Sequence, residues 1–249
     1  MIIIPIEISA RHLHLSQKDL EILFGLNYQL TPIKNLSQPG QFACEEAVEI
    51  QNLQSWGAEP HMDFTFGKAP DHNQVRILGP VRKRTQIELS WSDFICLGLK
   101  PVVALSGDYK SSGGGVIIVG PAGEVKLTKA VIIPQRHIHC SLEKAREFGL
   151  RHGQTAAVKV ISGKTQNSKL KAQHASSAVR RRGGNYNSMS CRHGMAKLKT
   201  FIHQQPIRQI TFHNVAVRIN DKFDWQMHID TDEANAAGIC GMGAGEVVL

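Results

Sequence analysis

Two short histidine motifs carry the residue types best suited to chemistry. They are SARHLHLS at residues 9–16 and PQRHIHCS at residues 134–141. Side chains two residues apart in a β-strand point to the same face, so His12 and His14 can bind one metal ion, and His137 and His139 a second. Neutral imidazole is a preferred zinc ligand. A single His-x-His also fits an ordinary, partly exposed strand, but its recurrence in one context favours zinc.

Each histidine pair needs at least one further ligand to make a zinc site, with a position left open if the site is catalytic. Two candidates lie in strand-like segments elsewhere: Glu88 in QIEL and His228 in MHIDTD. A carboxylate or an imidazole can complete such a site. On sequence alone, either residue can equally be a solvent-facing strand residue.

Arg82 follows the Gly79-Pro80 turn in the segment GPVRKR. A guanidinium group contacts two phosphate oxygens at once, so this turn could aim a cation at an oxyanion. A solvated basic turn is the plainer interpretation without further context. The glycine clusters match neither phosphate-binding nor dinucleotide-binding loops, and there is no GxSxG motif. Metal-centred chemistry is what remains.

The sequence around the two motifs also repeats. An apolar, β-branched run precedes each motif, at residues 2–4 and 131–133, and a helix-like stretch follows each, at residues 17–25 and 142–149. Serine before each stretch and glycine at its end are typical of helix starts and stops. Both halves therefore predict a strand, then His-x-His, then a short helix, as a tandem pseudo-repeat.

Further strands are predicted where short apolar or alternating runs lie between Gly and Pro turn signals. They lie at residues 75–78, 86–89, 115–119, 124–127, 156–160 and 211–219. Many short strands with few short helices favour small barrels over a parallel α/β sheet. The predicted fold class is therefore mainly β, with two small β-barrels capped by short α-helices.

Length and composition indicate an ordinary globular protein. The chain has 249 residues, of which 42% are hydrophobic and 20% charged, enough to bury a sizeable core. No run approaches the roughly 18 apolar residues of a membrane span, and the first residues lack a secretion signal, so we expect a cytoplasmic protein without membrane partners. The five cysteines are widely spaced and include no CxxC, which indicates reduced thiols.

The net charge of +8 is concentrated in one segment. Residues 162–208 contain ten Lys or Arg and no Asp or Glu, so the rest of the chain is nearly neutral. Residues 163–205 are rich in Ser, Lys, Arg, Gln and His and show little periodicity. We predict a long, mobile, basic insertion here, between two strands of the second half.

Several segments resemble the phosphate propanoyltransferases, the PduL-type phosphate acyltransferases (phosphotransacylases) associated with propanediol degradation in bacterial microcompartments. Besides the two histidine motifs, they are LTPIKNLSQPGQFACEE (30–46), VRILGPVRKRTQIELS (75–90), LSGD (105–108), FHNVAVRI (212–219) and MHIDTDEANAAG (227–238). Together they cover most of the chain outside the basic insertion.

The resemblance implies two β-barrels, one of residues 11–133 and the other of residues 1–10 with 134–249, and a dinuclear zinc site between them. It implies one zinc ion held by His12, His14 and Glu88 and a second held by His137, His139 and His228. Arg82 would bind phosphate. Gln41 and Ser106 would lie near the substrates, although a buried amide and a turn serine also suit structural roles.

The implied reaction transfers a short acyl group, propanoyl or acetyl, reversibly between coenzyme A and inorganic phosphate. The family also suggests a homodimer. Members packaged in microcompartments carry an N-terminal extension, and this chain starts almost at its first strand. We therefore expect a free cytoplasmic enzyme rather than one in a microcompartment lumen.

The basic insertion supports a competing hypothesis. In it the chain is a zinc-binding, non-catalytic module whose insertion binds nucleic acid. The insertion could instead attract the phosphates of coenzyme A, or only keep the chain soluble. We expect nucleic acid not to be a partner.

Overall fold

The computed structural model describes residues 1–53, 73–110, 115–162 and 208–249. The predicted insertion at residues 163–205 lies outside the described residues. Within these ranges the protein is mainly β-structure with a few short helices, which confirms the predicted fold class in outline. No helix in the described ranges combines the length and apolar character needed to cross a membrane.

The first half of the strands is β1 (Ile2–Ile8), β2 (His12–His14), β3 (Pro32–Asn35), β4 (Phe42–Asn52), β5 (Gln74–Gly79), β6 (Gln86–Glu88), β7 (Val103–Ala104) and β8 (Val116–Val119). The remaining strands are β9 (Glu124–Leu127), β10 (Val131–Pro134), β11 (His137–Cys140), β12 (Thr155–Ser162), β13 (Thr211–Ile219), β14 (Gln226–Ile229) and β15 (Met242–Val248). The helices are α1 (Gln17–Phe24), α2 (Trp91–Cys96), α3 (Leu142–Phe148) and α4 (Thr231–Ala237). Every strand and both helices predicted above are present.

Six strands form a closed barrel in the order β1-β14-β11-β13-β12-β15. β1 runs parallel to β14 and antiparallel to β15, so β1 completes a barrel whose other strands all lie in the second half of the chain. Apolar side chains fill the interior, among them Ile4, Ile6, Ile138, Val158 and Met227. Removing this apolar surface from water is the main force that holds the barrel closed.

The other strands form a nine-stranded sheet in the order β7-β10-β6-β2-β5-β4-β8-β9, with β3 paired to β4. The prediction of a second closed barrel is not met, because in the described residues this sheet is open between β7 and β9. Closure requires the edge strands to pair with each other, and these edges are only two and four residues long. Its core includes Leu13, Leu20, Ile77, Ile87 and Phe94.

Each His-x-His strand lies between one antiparallel strand and one parallel strand. β2 lies antiparallel to β6 and parallel to β5, and His12 lies opposite Glu88. β11 lies antiparallel to β14 and parallel to β13, and His137 lies opposite His228. One local register therefore places a candidate third ligand beside each histidine pair.

The strands that carry the candidate ligands are β2, β6, β11 and β14. Each leads directly into a helix whose N-cap side chain accepts a hydrogen bond from the backbone N–H three residues further along the chain. The N-caps are Ser16 for α1, Ser90 for α2, Ser141 for α3 and Asp230 for α4. Sequence reasoning missed α2 and α4, although Ser90 with Asp93 and Asp230 with Glu233 form complete capping boxes. The caps fix the direction in which the chain leaves each ligand-bearing strand.

Polar contacts between three residue pairs hold α2 and α4 in place. The backbone N–H and the hydroxyl of Ser92 in α2 donate to the Asp232 carboxylate in α4, at 2.7 and 3.0 Å. The arginine before each histidine pair forms a salt bridge with one helix, Arg11 with Asp93 at 3.2 Å and Arg136 with Glu233 at 3.0 Å. These contacts join the segments before the two histidine strands to a pair of helices that are hydrogen-bonded to each other.

Candidate metal and substrate site

A cavity of about 570 Å³ is lined by residues of both the barrel and the open sheet. All nine residues singled out from the sequence line it: His12, His14, Gln41, Arg82, Glu88, Ser106, His137, His139 and His228. Residues from distant parts of the chain therefore meet in one place. Their individual roles remain predictions.

The first ligand group consists of His12, His14 and Glu88, all buried. One ligand atom from each lies within 4.8 Å of the others, and His12 Nε2 is 3.5 Å from Glu88 Oε2. His12 Nδ1 lies 2.9 Å from the Ala10 carbonyl oxygen and His14 Nδ1 lies 3.1 Å from that of Leu78. A carbonyl oxygen only accepts, so Nδ1 carries the proton in each ring and Nε2 is left free to bind a metal.

The second ligand group consists of His137, His139 and His228. Their ring centroids lie 4.6 to 5.4 Å apart. Among the described residues, only the first group brings one ligand atom from each of its members within 4.8 Å of the others. His137 Nδ1 donates to the Gln135 carbonyl oxygen at 2.8 Å. The second group thus repeats the orienting contact of the first, from a histidine to the residue two before it.

Several buried polar atoms around the cavity lack a hydrogen-bond partner. Those found in the described residues are Gln38 Nε2, Glu88 Oε1, His139 Nδ1 and His228 Nε2. Buried polar atoms are normally paired, and three of these four belong to the predicted metal ligands. Imidazole nitrogen and carboxylate oxygen are common zinc ligands, so these residues fit a bound metal ion.

Four of the five histidines in the two groups, His14, His137, His139 and His228, are held in their neutral form. Burial lowers the pKa of His14 to about 3, helped by the nearby His12 and Arg82. Burial likewise lowers the pKa of His137 to about 4 and that of His139 to about 2, with neighbouring histidines adding to the effect. Burial also lowers the pKa of His228. Neutral imidazole is the form that binds metal, so these ligands need no proton release near neutral pH.

Glu88 is ionised despite its burial. Burial alone would raise its pKa, but His12, a hydrogen bond from Ser106, His14 and Arg82 together hold the pKa below its usual range. The first group therefore offers one negative charge to an ion, whereas the three histidines of the second offer none.

Arg82 is positioned by the strand that carries the first histidine pair. Its backbone N–H donates to the Leu15 carbonyl oxygen at 2.8 Å, just after β2. Its guanidinium is half-buried and donates to Ser106 Oγ at 3.5 Å. Burial lowers the pKa of Arg82, but an arginine remains protonated in a protein. A fixed cation therefore lies beside the first ligand group.

The turn that carries Ser106 is held by β6. The Gly107 N–H donates to Gln86 Oε1 at 2.8 Å, and Gln86 Nε2 donates to the Asp108 carbonyl oxygen at 3.1 Å. Gln86 precedes Glu88 by two residues, so both side chains point to the same face of β6. One short strand thus positions a candidate metal ligand and the serine that contacts Arg82.

Gln41 lies in a tight loop at the cavity wall. The Leu36 N–H donates to the Gln41 carbonyl oxygen at 2.9 Å, and the Gln41 N–H donates to that of Gln38 at 3.1 Å. This loop also brings Gln38 to the cavity, and its buried amide nitrogen has no partner. Sequence reasoning singled out Gln41 and missed Gln38, although both stand in the segment SQPGQ.

The cavity contains more positive charge than the motifs predicted. Its lining includes the cations Arg11, Lys34, Arg76, Arg82 and Arg218 and the carboxylates Glu7 and Glu88. A charged strand residue in an apolar segment such as AVRI was the available signal for Arg218, but only strand pairing shows that it lies beside His139. The excess of cations suits a ligand with several negative charges.

Comparison with known proteins identifies the family that the chain resembles. The family model for phosphate propanoyltransferase matches residues 5–172 and 192–240. The phosphate propanoyltransferase of Thermotoga maritima is 35% identical over 234 residues, which cover 94% of this chain and 83% of the relative. That of Lachnoclostridium phytofermentans is 36% identical over 239 residues, covering 96% and 84%. That of Clostridioides difficile is 33% identical over 244 residues, covering 98% and 87%.

The family model spans both histidine motifs and the segments that supply Arg82, Glu88 and His228, and the three relatives each cover at least 94% of the chain. The chain therefore belongs to the phosphate propanoyltransferase family, a family of acyltransferases.

Proposed function

We propose that the protein exchanges a short acyl group between coenzyme A and inorganic phosphate, so that acyl-CoA and phosphate give acyl phosphate and free coenzyme A, reversibly. The observation that carries the proposal is the single cavity in which two candidate metal groups meet a half-buried arginine. Family membership supports the same reaction class.

The proposed cofactor is a pair of zinc ions, one held by His12, His14 and Glu88 and the other by His137, His139 and His228. The unpartnered buried atoms and the neutral histidines support this ligand set. When bound, zinc supplies Lewis acidity, which stabilises negative charge that develops on oxygen.

Arg82 is the proposed phosphate-binding residue. Its guanidinium can contact two phosphate oxygens at once, and Ser106 Oγ orients it. Charge interactions are stronger in a partly buried cavity than in water. Arg82 would thus hold phosphate in place for attack on the thioester carbonyl carbon, and such positioning matters because phosphate is a weak nucleophile.

The remaining lining residues suit an acyl-CoA. Lys34 and Arg76 are exposed cations at the cavity and would attract the phosphates of coenzyme A. Leu36, Leu78 and Phe223 supply apolar surface for the acyl chain and the adjoining thioester arm. The amides of Gln38 and Gln41 would hydrogen-bond polar atoms of the substrates.

We also propose that the chain is a tandem pseudo-repeat of two units, residues 11–133 and residues 1–10 with 134–249. The shared strand register around the two histidine pairs and the four similar helix caps support this division.

The direct test is phosphate-dependent release of free thiol from propanoyl-CoA and acetyl-CoA. We expect turnover with both phosphate and acyl-CoA present, its loss after chelation, and its return when zinc is added. Comparison of the two donors gives the acyl preference. Zinc-loaded, folded protein that releases no thiol from either donor would refute the proposed reaction.

A further inference from the structure

Glu7 is a cavity carboxylate that the proposed zinc sites do not use. It lies in β1 directly across from His228 in β14, and its side chain lines the cavity. Glu7 Oε2 is 3.8 Å from His228 Nε2. The Ser37 hydroxyl donates to the same carboxylate oxygen. This carboxylate is therefore oriented beside a predicted metal ligand.

The first ligand group shows the same relation between a histidine and a carboxylate. His12 Nε2 lies 3.5 Å from Glu88 Oε2, again across neighbouring strands. Both distances exceed those of good hydrogen bonds. They lie near the ~3.4 Å expected between two ligand atoms that each sit ~2.1 Å from one tetrahedral ion. The Glu7–His228 pair thus has the spacing of two ligands of one metal.

Charge balance gives a second reason. Imidazole binds a metal ion in its neutral form, so the three histidines of the second group would bring no negative charge to the ion. Arg218 lies beside His139 in the neighbouring strand. A buried divalent cation with only neutral ligands and a nearby arginine would be uncompensated, which is costly in a site shielded from water. Glu7 supplies the missing negative charge.

We propose that Glu7 is a ligand of the metal ion at the second group, which gives that ion three imidazoles and one carboxylate. The inference rests on the proposed zinc centre and changes its ligand set. His228 Nε2 is buried without a hydrogen-bond partner, so Glu7 does not act by accepting a hydrogen bond from that nitrogen. Instead the carboxylate and the nitrogen face one ion.

The test measures metal binding separately from turnover. Zinc content and competition with a chelator are compared in the wild type, Glu7→Gln and Glu88→Gln. The wild type should hold two ions per chain. Glu7→Gln should keep the first-group ion and bind the other at least about tenfold more weakly. Glu88→Gln should instead weaken binding of the first-group ion, so the two variants together show which group each carboxylate serves.

Two further comparisons distinguish a ligand from an orienting residue. Glutamine can still accept a hydrogen bond, so unchanged affinity in Glu7→Gln would overturn the ligand role. Glu246→Gln, in the neighbouring strand β15 and outside the cavity lining, is the matched control and should bind as the wild type does. In the cobalt(II)-loaded protein, Glu7→Gln should change the visible absorption of one ion, whereas an unchanged spectrum would contradict the proposal.

The outcomes separate the two proposals. Two ions in the wild type with unaltered binding in Glu7→Gln would refute Glu7 and leave the dinuclear centre standing. Fewer than two ions in the folded wild type would refute the centre itself, and Glu7 with it. If Glu7→Gln does not fold, Ser37→Ala removes the donor that orients the carboxylate. By the same reasoning, Ser37→Ala should weaken binding of the second-group ion about two- to tenfold. Unchanged binding would count against the ligand role of Glu7.

Discussion

The two ligand groups share a backbone arrangement and differ in the side chains placed on it. In each, a His-x-His strand lies antiparallel to a short strand whose side chain lies opposite the first histidine. That side chain is the ionised Glu88 in one group and the partly buried, neutral His228 in the other. The same register can therefore support sites of different charge.

The surroundings of the two groups differ as well. The first lies beside Arg82 and Ser106, and the second beside Arg218 and Phe223, whose ring centroid lies 4.1 Å from that of His139. Glu7 offers the second group the carboxylate that Glu88 gives the first, but from a different strand. The comparison suggests that strand pairing fixes the geometry of both groups, while single residues set their charge and neighbours.

The largest expected effect comes from removing one histidine of each group. We expect His14→Ala and His139→Ala each to lower turnover by at least about 1,000-fold, because each removes a ligand of an ion whose Lewis acidity is worth several kcal/mol. Phosphate-dependent thiol release and metal content measure this. His213→Ala, an exposed histidine of β13, is the control and should keep activity. Full activity in either ligand variant would show that only one group is catalytic.

A smaller effect is expected for the arginines beside the two groups. Arg82→Lys keeps the charge but loses the two-point contact, and we expect kcat/KM to fall about 100-fold, mainly through the KM for phosphate. Arg218→Lys should change the KM for phosphate less than Arg82→Lys does. Initial rates at varied phosphate, with Lys83→Ala as an exposed neighbouring control, measure the difference. A larger phosphate effect at Arg218 would move the phosphate site to the second group.

The buried histidines predict a pH dependence of stability in metal-free protein. The pKa of His139 falls to about 2 in the folded state, so between about pH 6.5 and 2 the unfolded state binds a proton that the folded state does not. His139 should therefore lower the free energy of unfolding as the pH falls from 7 to 5. Replacing it with Asn should flatten this decline by several degrees of melting temperature, as thermal unfolding at the two pH values measures. An unchanged pH dependence would contradict the buried, neutral state.

The smallest effects are expected for the two arginines that precede the histidine pairs. Arg11 and Arg136 each pair with an acidic residue in the first turn of a helix, and both pairs are partly exposed. Arg11→Met and Arg136→Met should each cost about 1 kcal/mol or less and change turnover less than about threefold. Urea unfolding and thiol release check both. Strongly unequal losses of stability in the two variants would show that the two salt bridges do not play equivalent roles in the two halves of the chain.

The histidine pairs could be predicted because their geometry depends only on local alternation along a strand. Glu88 and His228 stayed open on residue reasoning, because their positions opposite His12 and His137 depend on pairing between distant strands. Glu7 was missed for the same reason, since nothing in IIIPIEI shows which strands flank it. Family resemblance, rather than residue pattern, supplied the third ligands.

Two features of the fold illustrate the same limit. The helices α2 and α4 have only six and seven residues, too few to show helical periodicity. The equally short α3 was predicted because it follows a repeated histidine motif, whereas capping boxes were the main signal for α2 and α4. Closure of the second barrel was wrongly expected, because the strand pattern does not reveal that β7 and β9, at the two ends of the sheet, do not pair with each other in the described part of the chain. Local chemistry was therefore easier to predict than long-range pairing.

The place of β1 in the barrel has a consequence for biosynthesis. Ile2 in β1 pairs with Val247 in β15, so β1 leaves the ribosome well before this partner strand is made. At roughly 5 to 20 residues per second, this isoleucine-rich segment stays unpaired for about 10 to 50 seconds. A nascent chain must keep it from associating with other exposed strands during that time. Because Glu7 and His228 come together only at this final closure, an incomplete chain cannot assemble the second ligand group.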